Sequence, residues 1–176
     1  MRIPGNTARF DLYLKDQGLI PVETDIVKPS VVPSPVEAAR VFEREVATPI
    51  ARSYRRQGTA RTPYQLTENF YAPHLVHRTM VEQMQKDMSF DVLLAIKNQY
   101  GKKVAYVHET VIGRLPTSKE QDLLHVVHNS PVLEVHRTSY ADDERHTPIM
   151  FSRIIYVAGY FELSYDYLVP YWSDKA

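Results

Sequence analysis

Two stretches decide the fold: Arg55-Arg56-Gln57-Gly58-Thr59-Ala60-Arg61-Thr62-Pro63-Tyr64-Gln65-Leu66-Thr67-Glu68-Asn69-Phe70-Tyr71, and the run from Arg137 to Tyr140 that resumes as Thr147-Pro148-Ile149-Met150-Phe151-Ser152-Arg153-Ile154-Ile155-Tyr156. In the first, Gly58 to Thr62 carry turn chemistry between a strand from Ile50 to Gln57 and a second from Pro63 to Tyr71, which together read as a hairpin. In the second, Asp142-Asp143-Glu144-Arg145 turns a strand beginning at Pro131 into one from Pro148 to Val157. The likeness extends further out. Pro33, Glu37, Pro49, Arg55, Thr62-Pro63 and Tyr71 have counterparts in Pro116, Glu120, Pro131, Arg137, Thr147-Pro148 and Tyr156, each 82 to 85 positions later. Six landmarks in order point to a duplicated strand–helix–hairpin unit, and two such units suggest one sheet with pseudo-two-fold character.

Each hairpin is preceded by an extended segment and a short helix. Val22 to Val32 is rich in β-branched residues, and Ser34-Pro35-Val36-Glu37 reads as a capped helix start with Ser34 as the cap. Val111 to Leu115 and the box Thr117-Ser118-Lys119-Glu120 repeat the plan, with Leu123, Leu124 and Val127 marking the helix face. Between the units, Ser89 to Tyr100 reads as a helix with Ser89 as its N-cap, followed by a strand from Lys103 to Ile112. A short helix around Phe10, Tyr13 and Leu14 should stop at Gly18. Phe161 to Val169 reads as a last strand. Strands joined by hairpins and short helices make an α+β domain, with a mostly antiparallel sheet of about six strands and helices packed around it.

Composition narrows the function. With 176 residues and no cysteine, the chain needs no disulfide and offers no thiolate metal site. Lys plus Arg and Asp plus Glu both total 21, so the basic excess of a phosphate-gripping module is missing. No apolar run reaches the roughly 18 residues of a membrane span, and a cytoplasmic protein is expected. His74 and His77, like His125 and His128, have i, i+3 spacing. Without a carboxylate at helical spacing they read as solvated surface, so neither a metal nor a cofactor is expected. Twelve tyrosines and six phenylalanines suit a core, a small-molecule cavity or an interface.

The run Pro63-Tyr64-Gln65-Leu66-Thr67-Glu68-Asn69-Phe70-Tyr71-Ala72-Pro73 resembles the first hairpin of the UTRA domain, the sensor of HutC-type regulators in the GntR superfamily. Ser89-Phe90-Asp91-Val92-Leu93-Leu94, Gly113-Arg114-Leu115-Pro116-Thr117, the second hairpin and Tyr160-Phe161-Glu162-Leu163 continue the resemblance in order. It implies a chorismate-lyase-like fold with a ligand cavity on one face, a homodimer, and DNA binding only through an N-terminal winged-helix domain that these residues do not include. On that reading residues 1–8 are a linker remnant, 9–170 the UTRA domain and 171–176 a tail.

Members of the family that sense phosphosugars hold the phosphate with arginines of the first hairpin strand and a helix-start serine, and the sugar with carboxylates and a tyrosine. The resemblance therefore marks Arg55, Gln57 (where a second arginine is often found), Glu68, Ser89, Asp91, Met150 (where a glutamate can sit) and Tyr156 as candidate effector contacts. Asp91 on the first helical turn would repel a phosphate. Thr7 and Arg9 beside the opening helix are candidates to close over a ligand. Alternation puts Met150, Ser152, Ile154 and Tyr156 on one strand face and Ile149, Phe151, Arg153 and Ile155 on the other, leaving Arg153 either ion-paired or lining a cavity. The expected function is sensing of a small molecule, a sugar or a carboxylate, with no catalysis. The alternative is a chorismate-lyase-like enzyme in which Arg55 or Arg153 works with Glu68 on a small carboxylate.

Overall fold

The computed structural model describes residues 14–143 and 146–161. Its sheet is built from β1 (Val22–Pro33), β2 (Pro49–Gly58), β3 (Pro63–Tyr71), β4 (Val104–Arg114), β5 (Val132–Ala141) and β6 (Pro148–Val157). The helices are α1 (Val36–Val41), α2 (Arg78–Lys86), α3 (Val92–Tyr100) and α4 (Ser118–Leu124). Strand order is β1-β2-β3-β6-β5-β4, and every pairing is antiparallel. The expected six-stranded α+β domain is thus the observed one.

The duplication is visible in the register. Each half contributes three consecutive strands, and the halves join where β3 meets β6. Gln65 pairs with Tyr156 and Tyr71 with Met150, while Glu68 pairs with Arg153 at the middle. Glu68 and Arg153 are 85 residues apart, the same offset that relates Tyr71 to Tyr156, so they are equivalent positions facing each other across a local two-fold axis. Arg153 donates to the Glu68 carboxylate at 2.7 Å, and Arg52 approaches its other oxygen at 3.5 Å. Identical residues there would bring like charges together; the sequence instead carries opposite charges.

Three hydrophobic clusters fix the layers. Leu124 of α4 packs on Leu66 and Ile155, on the face that also carries Glu68 and Arg153. Ala38 and Phe42 join Phe70 and Phe151 in the largest cluster, with Met80, Val81 and Met84 of α2 and Val92 and Ile96 of α3. Helix α2 lies along β1, where Gln85 donates to the Pro29 carbonyl at 2.6 Å. This helix was not expected from the sequence, although Met80, Val81 and Met84 are spaced for one buried face.

Helix ends differ from expectation in two places. The capping box at Thr117 and Glu120 forms on both sides. At α1, however, Pro35 occupies the N-cap and no side chain caps it; Ser34 instead donates to the Glu45 carbonyl at 3.4 Å. Pro35 in extended backbone ahead of Val36 moves the helix start one residue on and carries Ser34 off the helix end. The cap of α3 is Asp91, which accepts from the Leu94 N–H at 2.9 Å; Ser89 lies too early and donates to Asp87. Gly18, at φ +70, does end a helical turn, with its N–H on the Lys15 carbonyl and that of Leu19 on Leu14. Phe10 and Tyr13, and the expected strand beyond Phe161, lie outside the described residues.

Two outcomes test this description. Glu68→Lys should place three cations together and lower the melting temperature by several degrees, corresponding to about 2 kcal/mol for a partly buried pair, and combining it with Arg153→Glu should recover most of that loss in a double-mutant cycle. At Gly58 an added Cβ would lie 2.3 Å from the Thr62 carbonyl oxygen and 2.7 Å from Pro63 Cα, both backbone atoms. Gly58→Ala is therefore expected to lower stability by about 1–3 kcal/mol, read by urea denaturation.

Candidate functional site

The face opposite α4 carries a cleft of about 570 Å³ laid across the local two-fold axis. Its floor is Gln65, Thr67 and Asn69 of β3 with Met150, Ser152, Ile154 and Tyr156 of β6. Gln57 of β2 and Arg137 and Ser139 of β5 flank it. Leu93 of α3 and Val107 of β4 form part of the wall. Strand alternation explains the grouping, since every second residue of each strand reaches this side.

For a sheet face the floor is unusually polar. Ser53, Gln65, Ser139 and Ser152 are buried yet hydrophilic, which requires internal hydrogen bonds. Ser152 donates to Asn69 Oδ1 at 2.7 Å, Asn69 donates to Ser53 at 3.4 Å, and Ser53 meets the Tyr71 hydroxyl at 3.1 Å. Gln65 and Thr67 both donate to Gln57 Oε1, and Gln57 donates to Glu23 of β1 at 2.7 Å. Two buried atoms of residues that line this cleft, Gln65 Oε1 and the Tyr156 hydroxyl, make no hydrogen bond of good geometry, although Arg137 lies close to the phenol. Burial pushes the Tyr156 phenol up to about 12, against the pull of nearby Arg137. Its ring packs on Phe161 at a centroid distance of 4.4 Å.

The arginines of this face are held from outside the cleft. Arg55 donates to Asp25 at 3.0 Å and Glu23 at 3.3 Å, and Arg137 donates to Glu109 of β4. Burial pushes the Glu23 carboxyl above its ordinary value although Arg55 and Gln57 pull it down. Arg55 and Arg137 are equivalent in the two halves, and Asp25 of β1 and Glu109 of β4 stand in register opposite them.

The expected contact residues therefore separate. Gln57, Met150 and Tyr156 line one cleft, together with Arg137, Ser139, Ser152 and Asn69, which the sequence reading did not single out. Equivalence of Arg137 to Arg55 was the available signal for the first of these. Arg55 shares the face but turns to β1. Glu68 and Arg153 lie on the other face, where they border a smaller cleft of about 360 Å³ with Arg52, Phe70, Phe151 and the start of α1. Arg153 thus does both things left open for it, pairing and lining. Ser89 and Asp91 stand at the head of α3, two to four residues before Leu93, and border neither of these two clefts. Thr7 and Arg9 lie outside the described residues. Among the described residues no three metal-binding side chains converge, and no helix is long and apolar enough to cross a membrane.

Among solved structures, PhnF from Mycobacterium smegmatis is similar to this chain at a TM-score of 0.77 and 18% identity, covering 96% of this chain and 72% of that one. The effector domain of the same regulator gives 0.72 and 19%, covering 96% and 100%. A transcriptional regulator of the GntR family from Bacillus cereus gives 0.67 and 13%, covering 85% and 98%. The fold is thus that of regulator effector domains. The sequence profile of the UTRA domain matches residues 17–162, and the chain belongs to that family. No curated protein sequence matches it.

Tyr156→Phe removes a buried hydroxyl that lies near Arg137 without a hydrogen bond of good geometry. The ligand-free domain should be unharmed or more stable, by up to about 1 kcal/mol. The wild type should also lose stability as pH rises from about 10, where an unfolded tyrosine ionises, towards 12, where the folded one does. This phenol's contribution is complete below the unfolded value and declines across that window, because only the unfolded state releases the proton. Thermal melts of both proteins across that range should show a shallower decline in Tyr156→Phe.

Proposed function

We propose that this chain is the effector-sensing module of a GntR-superfamily regulator of the HutC type, and that its effector binds in the cleft over β3 and β6. The observation that carries the reading is the polar-floored cleft of about 570 Å³ over the β3–β6 seam, where Gln57, Gln65, Thr67, Asn69, Arg137 and Ser152 converge. A concave site with several convergent polar groups beside apolar wall residues is the arrangement that holds and orients a small molecule. Family membership and the likeness to regulator effector domains support the same reading.

In this reading the module works as a homodimer in the cytoplasm, and DNA is bound by a winged-helix domain joined to it. The effector acts by population shift: it must bind one arrangement of the dimer more tightly than the other, and the difference in affinity sets the change in operator occupancy. The module binds its ligand without turning it over. Of the two pairs considered for a lyase, Arg55 and Glu68 sit on opposite faces, whereas Arg153 and Glu68 meet beside the smaller cleft but are ion-paired with each other. Chorismate incubated with the protein should be recovered intact.

The test is a thermal-shift screen of small metabolites with two variants. A ligand at 100 times its dissociation constant stabilises by about 2.7 kcal/mol, which raises the melting temperature of a domain this size by roughly 5–10 °C. Val107→Trp should fill the cleft from the exposed edge strand and abolish that shift while the protein still melts cooperatively. Arg52→Ala, in the cleft on the opposite face, should leave it in place. A shift lost in Arg52→Ala and kept in Val107→Trp would move the effector to the other side of the sheet.

A further inference from the structure

On the helix side the duplicated halves part company, and the smaller cleft opens where they do. In the second half, Arg114 at the end of β4 bridges Glu120 of α4 and Glu134 of β5. Sheet register identifies the counterparts in the first half. Val32 pairs with Ile50 as Arg114 pairs with Val132, and Arg52 stands two residues beyond Ile50 as Glu134 does beyond Val132. Glu37 of α1 corresponds to Glu120. A valine thus replaces the bridging arginine, and a cation stands where one of its carboxylates would be. The triad cannot form, and about 360 Å³ between β1, the start of α1 and the β3–β6 seam stays open.

Arg52 is left short of acceptors. Its side chain retains only 24% of its accessible surface, yet its one ion contact among the described residues is a Glu68 oxygen at 3.5 Å, too long for a good hydrogen bond. Arg55, Arg114 and Arg137 each donate a hydrogen bond to a carboxylate. Arg52 Nε is enclosed, so its terminal nitrogens are what the cleft offers a ligand. Arg153 gives Glu68 a single hydrogen bond and keeps 49% of its side-chain surface. Two guanidiniums therefore share one carboxylate on the floor, while the other acid, Glu37, stands exposed at the mouth. Spare guanidinium N–H groups are best answered by a carboxylate, which accepts two at once. Beside them Phe70 and Phe151, stacked at a centroid distance of 6.2 Å, make an apolar bed with Val32. A second negative charge on the ligand would meet Glu37 and Glu68.

We infer that this cleft is a second ligand site, separate from the main cleft, and that it takes a small monocarboxylate with a flat apolar body. The carboxylate sits against the terminal nitrogens of Arg52 and the spare N–H groups of Arg153, and the body lies over Phe70 and Phe151.

Calorimetric titration with benzoate and phenylacetate tests this, each beside its uncharged amide and beside phthalate. Concentrations should reach about 10 mM, roughly tenfold above the millimolar affinity expected of so small a ligand. At least one of the two monocarboxylates should bind saturably, with its amide and phthalate at least about tenfold weaker. Arg52→Gln should weaken that binding by about tenfold or more. Val32→Phe should abolish it by filling the cleft with both guanidiniums in place. Glu37→Gln, at an exposed position that does not threaten folding, should strengthen it about twofold. The site is independent of the effector reading: Val107→Trp should leave monocarboxylate binding intact, and a compound that Val107→Trp rejects should still bind Val32→Phe. Monocarboxylate binding lost in Val107→Trp and kept in Val32→Phe would belong to the main cleft and overturn this inference alone. Equal binding of acid and amide overturns the ligand class, as does weaker binding in Glu37→Gln. Silence from both monocarboxylates overturns the site.

Discussion

The pairing of β3 with β6 is the constraint on which the rest of the molecule depends. Among the described residues it is the one junction between the two three-stranded halves within the sheet, and it sets the register of everything outward from it. A half-sheet of three strands with one short helix has too little to cover its apolar face; joined at this seam, the halves share the cluster of Phe70, Phe151 and their neighbours. The Glu68–Arg153 pair sits at the middle of the seam, and a one-residue slip would separate it while turning each strand's cleft side chains to the helix side. The opposite charges at this duplicated position therefore favour one register and one mutual orientation.

The same seam divides the molecule chemically. On the helix side, α1 and α4 rest on apolar clusters, with ion pairs beside them: Glu68 with Arg153 and Arg52, and Arg114 with Glu120 of α4 and Glu134 of β5. On the other side the strand residues are serines, threonines, amides and a tyrosine, linked in two hydrogen-bonded chains that run from the floor toward β1 and under Tyr71. A polar floor of this kind is stable only when each group is answered, and the few that are not define where the protein is incomplete by itself. The outer strands serve the cleft at one remove, β1 and β4 each supplying the carboxylates that fix an arginine of the neighbouring strand.

Much of this was legible in the sequence, because it depended on local chemistry or on repetition. Gly58 to Thr62 announced a hairpin, the offset from Tyr71 to Tyr156 announced a second copy of it, and alternation along Met150 to Tyr156 sorted side chains between faces. Thr117 and Glu120 stated their capping box outright. Misread features were those decided by one or two residues of phase, as at Ser34 and Ser89, or by tertiary burial, as in α2, where Leu75 and Val76 extend the apolar set into the preceding loop. The arginines show the deeper limit. Arg55 could be chosen by residue type and position, but its capture by Glu23 and Asp25 depends on a strand about 30 residues away in sequence. Likewise, nothing local separates Glu68 from Thr67 as a ligand contact; the pleat does.

A cleft that straddles a local two-fold axis has a directional problem. Thr67 and Ser152 are equivalent positions, so a bound molecule meets a similar hydroxyl at either end of the floor. The ends are told apart only where the duplicated halves have diverged: Gln65 against Met150, Asn69 against Ile154, and Gln57 against Ser139. One end thus carries Gln57, Gln65 and Ile154, and the other Ser139, Met150 and Asn69. Residues common to both halves govern whether a ligand stays. Those that differ govern which way round it lies, and so which part of it an adjoining domain would meet.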